Sequence, residues 1–321
     1  MNAQLQSDSQ LVDSQFSDKE ATLFRSYELS LPVPEHHPRA QDIEVTHFSV
    51  ESVGDKKLPG SVYLVDKALK SRLTQDVADN AIFVEAKEDT LKEISWLDRF
   101  IADNPIFSES KTIVGIGGGI LLNAAAYIAE KQNIDFISVP TTILAAADSA
   151  IGGLVRINKI DGTKYTKSFY KSVYEPSEII VDIELLVSLP KNQISWGLSE
   201  VVKHGVYQST PLLEYLASND FSPFDNVDSL IKSVCWTVAL KNVATIHDPD
   251  SESDGGNILR GGHALALTIE ESSNFSVSHG QAVAIGVYQD SINNPETTLL
   301  LDRIYEKLDL PKAPTDLTFL N

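Results

Sequence analysis

The 321-residue chain has one cysteine, Cys235, so no intrachain disulfide can form. That thiol lies in Ile231-Lys232-Ser233-Val234-Cys235-Trp236, an apolar helical pattern, and reads as a buried structural group rather than a reactive one. No apolar run approaches the ~20 residues that a membrane span requires. The segment from Met1 to about Glu20 has neither a basic start nor an apolar centre, so it does not read as a secretory signal. Its Ser, Asp and Gln content predicts a disordered or loosely attached tail over residues 1–20, and a cytoplasmic location is expected. Cations are also scarce: 26 Lys and Arg against 45 Asp and Glu give 26 − 45 = −19. Such a charge repels a duplex and an anionic bilayer, which sets aside nucleic acid and membrane as partners. An anionic small molecule would need a local cluster of Lys, Arg or His set against that field.

Short β-rich runs occupy Val45–Val50, Ser61–Asp66, Ala81–Glu85, Thr112–Ile116, Phe136–Val139 and Glu178–Asp182. Helical patterns separate several of them, notably Thr90–Ala102 and Ile120–Lys131. This alternation predicts an α/β domain with a mostly parallel, doubly wound sheet over residues 21–182. Prolines in Leu31–Pro38 exclude a central strand there, and the adjacent His36 and His37 are expected to face solvent. After Pro190 the texture turns amphipathic, over 193–207, 211–218, 227–248, 257–272, 280–293 and 296–308. That predicts an all-helical second domain, residues 183–321.

Several short strings carry chemistry. Thr112–Ile116 runs into Gly117-Gly118-Gly119 and then a helical pattern. A strand, a glycine turn and a helix start expose bare amides to an anion, although any tight turn in an α/β domain gives the same string. Asp66 ends a strand and is equally suited to a ribose contact or a helix cap. Further along stand Val139-Pro140-Thr141-Thr142, Asp148-Ser149-Ala150-Ile151-Gly152-Gly153, Gly197-Leu198-Ser199-Glu200-Val201-Val202-Lys203, Gly261-Gly262-His263 and His279-Gly280-Gln281-Ala282-Val283-Ala284-Ile285-Gly286. Glu200 and Lys203 are three apart on a helical pattern and project from one face.

In this order and spacing, from about Ser61 to about Gly286, the strings resemble the 3-dehydroquinate synthase superfamily, the sugar phosphate cyclases. The resemblance implies NAD at Gly117, Gly118 and Gly119, with Asn123 standing where many members have Asp, and with Thr141, Thr142 and Asp66 near the cofactor. It implies a divalent metal, zinc or cobalt, on Glu200, His263 and His279, a donor set that suits such an ion. It gives Asp148, Lys167, Lys203 and Lys241 as catalytic or substrate-binding residues around a phosphorylated sugar, in a homodimer. The implied reaction oxidises a substrate hydroxyl on NAD, eliminates phosphate, returns the hydride and closes a carbocycle.

Departures fall in the substrate shell. Leu154 stands where the family has lysine after Gly152-Gly153. Arg156, two residues on and on the same strand face, is the candidate replacement. Arg260 stands where dehydroquinate-forming members have Asn, and Leu267 where a second histidine is common. Ser168 replaces an Asn after Lys167, and about four extra residues precede that lysine. Lys131 and Gln132 lie where an arginine is usual, and a C-terminal Asp-Lys motif has no counterpart before Asn321. A sugar phosphate carries roughly two negative charges. Arg156 and Arg260 are therefore expected to face one cleft with Lys167, Lys203 and Lys241. The first reading is a cyclase for a different sugar phosphate, of the cyclitol-forming kind. The alternatives are a divergent 3-dehydroquinate synthase, a catalytically degenerate binding protein, and an NAD-dependent metal polyol dehydrogenase.

Overall fold

The computed structural model describes residues 3–56, 58–248, 254–273 and 275–316. The chain forms two compact units, one from Met1–Arg25 with Leu189–Asn321 and the other from Ser26–Ser188. The N-terminal segment departs from expectation. Met1 and Asn2 lie outside the described residues, but Ala3–Phe16 is a helix, α1, belonging to the helical unit. Its buried residues are Leu5, Ser9, Val12, Asp13 and Phe16. They recur at helical spacing, so one narrow stripe packs although the segment as a whole is polar. Composition suggested a tail, but the placement of its few apolar residues decides for a helix.

The unit Ser26–Ser188 is built on a seven-stranded sheet. In chain order its strands are β1 (Glu28–Pro32), β2 (Val45–Val50), β3 (Ser61–Asp66), β4 (Ala81–Val84), β5 (Thr112–Gly117) and β6 (Asp135–Pro140). A separate antiparallel ribbon, β7 (Leu154–Asp161) and β8 (Lys164–Val173), precedes β9 (Glu178–Val181). The sheet order is β1-β2-β9-β6-β5-β3-β4, parallel except for β1 against β2. Proline-ended β1 sits at an edge, where a missing amide leaves no gap in the ladder. From β3 the chain passes to β4 on one side and then to β5 on the other. The order therefore reverses between β3 and β5, which is where doubly wound sheets take ligands, at the carboxyl ends of the strands. The Gly117–Gly119 turn lies at the end of β5.

Alternation along the strands covers both sheet faces. Tyr63, Val65, Val114, Ile116, Ile137 and Val139 share one apolar cluster. On the other face lies helix α3 (Gly119–Gln132), which follows α2 (Ile94–Asp103). A Cβ on Gly115 would stand 2.8 Å from Ala125 Cβ, so glycine here lets the alanine-rich helix approach the sheet. Helix α2 begins later than Thr90 because Glu93 caps it, accepting from Trp96 N at 2.7 Å. His36 is exposed as expected, but His37 is not. Its Nδ1 lies 2.7 Å from the buried Glu175 carboxylate. Arg39 beside it stacks 4.3 Å from the Tyr174 ring, so this charged cluster fastens the segment after β1. The unit extends to Ser188, beyond the expected end at 182, because Asp182 caps a short helix, Ile183–Leu186, instead of ending the domain.

The helical unit continues with α4 (Lys191–Tyr207), α5 (Thr210–Ala217), α6 (Val227–Ile246), α7 (Asp254–Leu259), α8 (His263–Ser272), α9 (His279–Ser291) and α10 (Pro295–Leu308). The helix expected over 257–272 is broken at Arg260–Gly262, where Gly262 takes φ +73°. A Cβ on Gly286 would fall 2.0 Å from the Gly262 carbonyl, so α9 touches this turn backbone to backbone. Helix α6 is buried on nearly every side from Ser229 to Thr245, which places Cys235 in the core as expected. Burial pushes its thiol up, away from reactivity. Helix α1 packs on α6: Phe16 stacks on Trp236 at 5.7 Å and on Phe24 at 5.3 Å. The Asp13 carboxylate accepts from Trp236 Nε1 at 3.0 Å and from Ser209 Oγ at 2.5 Å. Truncating Phe16 should therefore act as a core mutation. Phe16→Ala is expected to cost about 3–5 kcal/mol in urea unfolding. A loss under ~1 kcal/mol would show that α1 is dispensable to the core.

Candidate functional site

Glu200 sits near the middle of α4, and its side chain is completely buried. No backbone or neutral side-chain donor reaches either carboxylate oxygen. What surrounds it is positive or able to become so. Lys203, one turn on and equally buried, makes an ion pair with Oε2. His279 Nε2 and His263 Nε2 stand 3.4 and 3.7 Å from Oε1. Burial raises the cost of charge on Glu200, but Lys203 and the two imidazoles outweigh it and hold the carboxyl well below its usual range.

The histidines come from two helix starts. His263 opens α8 after the Gly261-Gly262 turn, and His279 opens α9, which Ser278 and Gln281 close with a reciprocal capping box. Each ring anchors Nδ1, at 2.9 Å to the Gly261 carbonyl for His263 and at 3.0 Å to Glu270 Oε1 for His279. That leaves both Nε2 atoms facing Glu200. One donor atom from each of the three residues lies within 4.8 Å of the others, and both rings remain about a third exposed. A buried carboxylate faced by the Nε2 atoms of two imidazoles, each anchored through Nδ1, is a donor set that fits a divalent cation. Burial pushes His263 down. Burial opposes charge on His279 too, but the Glu200 and Glu270 carboxylates raise it to about 9.

Two further expected residues share this unit. Lys203 Nζ donates to the Leu259 carbonyl at 3.2 Å, and Lys241 on α6 is buried. Between them in kind lies His204, whose Nδ1 is 2.7 Å from Gln208 Oε1. Burial first, and then the Lys203 charge, lower its pKa to about 3, so it is a neutral ring. Arg260 is exposed and donates to Asn257 Oδ1 at 3.2 Å. Leu267, one turn after His263 on α8, is 46% exposed.

In the sheet unit, Gly118 is the N-cap of α3. A Cβ there would make only ordinary contact with Thr142, at 3.4 Å. At Gly119 a Cβ would lie 2.9 Å from Ser149 Oγ, a buried hydroxyl without a hydrogen-bond partner. Bare amides, a helix start and an unpaired hydroxyl together suit a phosphate group. Thr141 N closes the turn onto the Gly117 carbonyl at 2.9 Å, and Thr142 Oγ1 accepts from Ala145 N at 3.1 Å. Asp148 follows, half-buried in a π-helical turn, Ala145–Ser149. Asp66 caps the next turn, accepting from Ala68 N at 3.0 Å, which is the capping alternative offered by the sequence.

Asn123 donates to the Gly119 carbonyl at 2.8 Å and accepts from Arg156 N at 2.6 Å, tying α3 to β7. Burial lowers the pKa of the Arg156 guanidinium, which donates to the Val155 carbonyl at 3.1 Å and the Ser172 carbonyl at 3.5 Å. The extra residues near Lys167 form an irregularity in the ribbon. Ile157 pairs with Tyr170 and Lys159 with Thr166, leaving 167–169 opposite Asn158. Ser168 takes φ +51° there and donates its amide to Asn158 Oδ1 at 2.9 Å, with Lys167 half-buried beside it.

Sequence reasoning missed Glu270, Ser149 and the ribbon. Glu270 has no local signal, since it is nine residues from the ring it holds. The ribbon's second strand, β8, was hidden because it carries three lysines and two tyrosines rather than an apolar run.

Residues 82–196 match the family model described as 3-dehydroquinate synthase N-terminal, and 197–316 the one described as 3-dehydroquinate synthase C-terminal. A 3-dehydroquinate synthase of Dehalococcoides mccartyi is 28% identical over 322 residues, covering 96% of this chain and 82% of that protein. One of Sulfurisphaera tokodaii is 27% identical over 230 residues; the match spans 64% of each chain, less than two thirds of that relative's length. Among solved structures, 2-deoxy-scyllo-inosose synthase complexed with carbaglucose-6-phosphate, NAD+ and Co2+ has the same fold. Its TM-score is 0.69 at 20% identity, covering 92% of this chain and 85% of that one. With family models matched over residues 82–196 and 197–316, the chain belongs to the 3-dehydroquinate synthase superfamily.

Proposed function

We propose that the protein is an NAD- and divalent-metal-dependent sugar phosphate cyclase that eliminates phosphate and closes a carbocycle, of the cyclitol-forming kind, acting as a homodimer. The observation that carries the reading is the Glu200 carboxylate, fully buried and faced by two Nε2 atoms whose donor positions converge with it. Glu200, His263 and His279 would hold zinc or cobalt, and Gly118, Gly119 and Ser149 would take the NAD pyrophosphate. When bound, the ion supplies Lewis acidity toward a substrate oxygen and NAD supplies reversible hydride acceptance.

The chain's own residues do the rest. Lys203 and Lys241 lie in a buried place, where a cationic group acts strongly on an anionic substrate. Arg156 and Lys167 on the ribbon are the proposed cations for the phosphate. Of the two replacement arginines, Arg156 is the better placed in chemical terms, because its guanidinium is half-buried and bonds neutral carbonyls. Arg260 is turned toward Asn257 and exposed, so its part in the substrate shell is the weaker one. In this reading Asp148 keeps the family's substrate-contacting acid, and Leu154 is the departure from the dehydroquinate-forming enzymes.

Incubation of the protein with NAD, cobalt and a panel of hexose and heptulose phosphates should release inorganic phosphate with no net NADH. Build-up of NADH matching substrate consumption, without phosphate, would replace this reading by the dehydrogenase one. Gly118→Val should abolish NAD binding in calorimetry while leaving cobalt uptake and the circular dichroism spectrum intact. Retention of parental NAD affinity would remove the glycine turn from the cofactor site. Cobalt affinity should also depend on pH. In the metal-free chain His279 titrates at about 9, and a metal ion takes only its neutral ring. Apparent affinity should thus climb roughly tenfold per pH unit through neutrality and level off above that value. A flat profile across neutral pH would contradict the assignment of His279 as a ligand.

A further inference from the structure

We propose that Glu270 and Asp290 are positioning residues that aim His279 and His263 at the metal position; this rests on the metal reading above. An imidazole binds a metal through one nitrogen, and the hydrogen bond at the other nitrogen fixes its tautomer and ring plane. For His279 that bond is to Glu270 Oε1, 3.0 Å from Nδ1. Glu270 lies on α8, a different helix from His279, and only 6% of it is exposed. Burying a carboxylate is costly unless a donor meets it, and the Nδ1–H of His279 is such a donor. The pairing also links the two helices whose first residues are the histidine ligands.

His263 is held less directly. Its Nδ1–H donates to the Gly261 carbonyl, so its aim depends on the Gly261-Gly262 turn. The Asp290 carboxylate on α9 holds that turn, since its Oδ2 accepts from Gly262 N at 3.2 Å and from Tyr207 Oη at 2.7 Å. Packing leaves the turn no other seat. A Cβ on Gly261 would lie 2.4 Å from the Tyr207 ring, and one on Gly262 would lie 2.7 Å from Val287 N. Asp290 therefore joins α4, which bears Glu200, to the residue before His263 and to α9, which begins with His279. Neither acid touches the triad's donor atoms. Each acts through the ring or the turn that it holds.

The test is cobalt(II) titration of the full chain, read by competition with a chelating dye and by the visible spectrum of the bound ion. Thermal unfolding of the metal-free protein serves as the control for folding. Glu270→Ala should weaken cobalt binding roughly ten- to hundredfold and alter the spectrum. Glu270→Gln keeps an oxygen that accepts from Nδ1–H and should recover most of the affinity. Asp290→Ala should weaken binding in the same direction through His263. Should Glu270→Ala fail to fold, Glu270→Met, which fills the space without an oxygen acceptor for Nδ1–H, takes its place with the same expected loss and the same overturning result. Parental affinity and spectrum in Glu270→Ala, or in Asp290→Ala, would overturn the role of that residue. A parent chain that takes up no cobalt would overturn the metal reading and this proposal with it, whereas parental uptake with unaltered variants overturns this proposal alone.

Discussion

A fully buried carboxylate, Glu200, is the constraint on which the helical unit depends. Left alone, the charge on Glu200 would cost several kcal/mol of desolvation. Lys203 and the two imidazoles offset that cost, and each must be delivered to one point from a different part of the chain. Helix α4 supplies Glu200 and Lys203 through simple i,i+3 geometry. The histidines arrive at the first residues of α8 and α9, where a helix start fixes the direction of the side chain. The glycines at 261, 262 and 286 follow from this demand, because the backbones must nearly touch for both rings to reach the same carboxylate.

A different constraint shapes the sheet unit. Its order reverses between β3 and β5, and the glycine turn lies at the end of β5. Helix α3 can begin at that turn only because Gly115 lets it lie close on the sheet and Asn123 ties it to the ribbon. The helix start and its bare amides are thus a product of packing. The chemistry such a turn offers to a phosphate comes from the same backbone geometry that makes the fold.

Much of this was legible in the sequence, and the reasons are specific. The parallel strands read well because burial on both faces forces runs such as Thr112–Ile116 and Phe136–Val139 to be apolar. The triad residues were legible through motif resemblance, and the structure brings Glu200, His263 and His279 together. Helix α1 was misread because its packing stripe is narrow and its remaining positions are polar. His37 was misread because its partner, Glu175, lies 138 residues away. The glycine pair before His263 pointed to a helix start there, whereas the amphipathic pattern over 257–272 runs through the break without marking it. Glu270 and Asp290 were invisible for the same reason as Glu175: their partners are set by tertiary contact.

The central claim is that a divalent ion belongs at the point shared by Glu200, His263 and His279. Crystals of the full chain grown with cobalt, and measured at the cobalt absorption edge, test it most directly. The account predicts one strong anomalous peak, about 2.0–2.2 Å from a Glu200 carboxylate oxygen and from the Nε2 atoms of His263 and His279. A peak elsewhere on the chain, with the triad closed on itself through the Glu200–His279 contact, would contradict it.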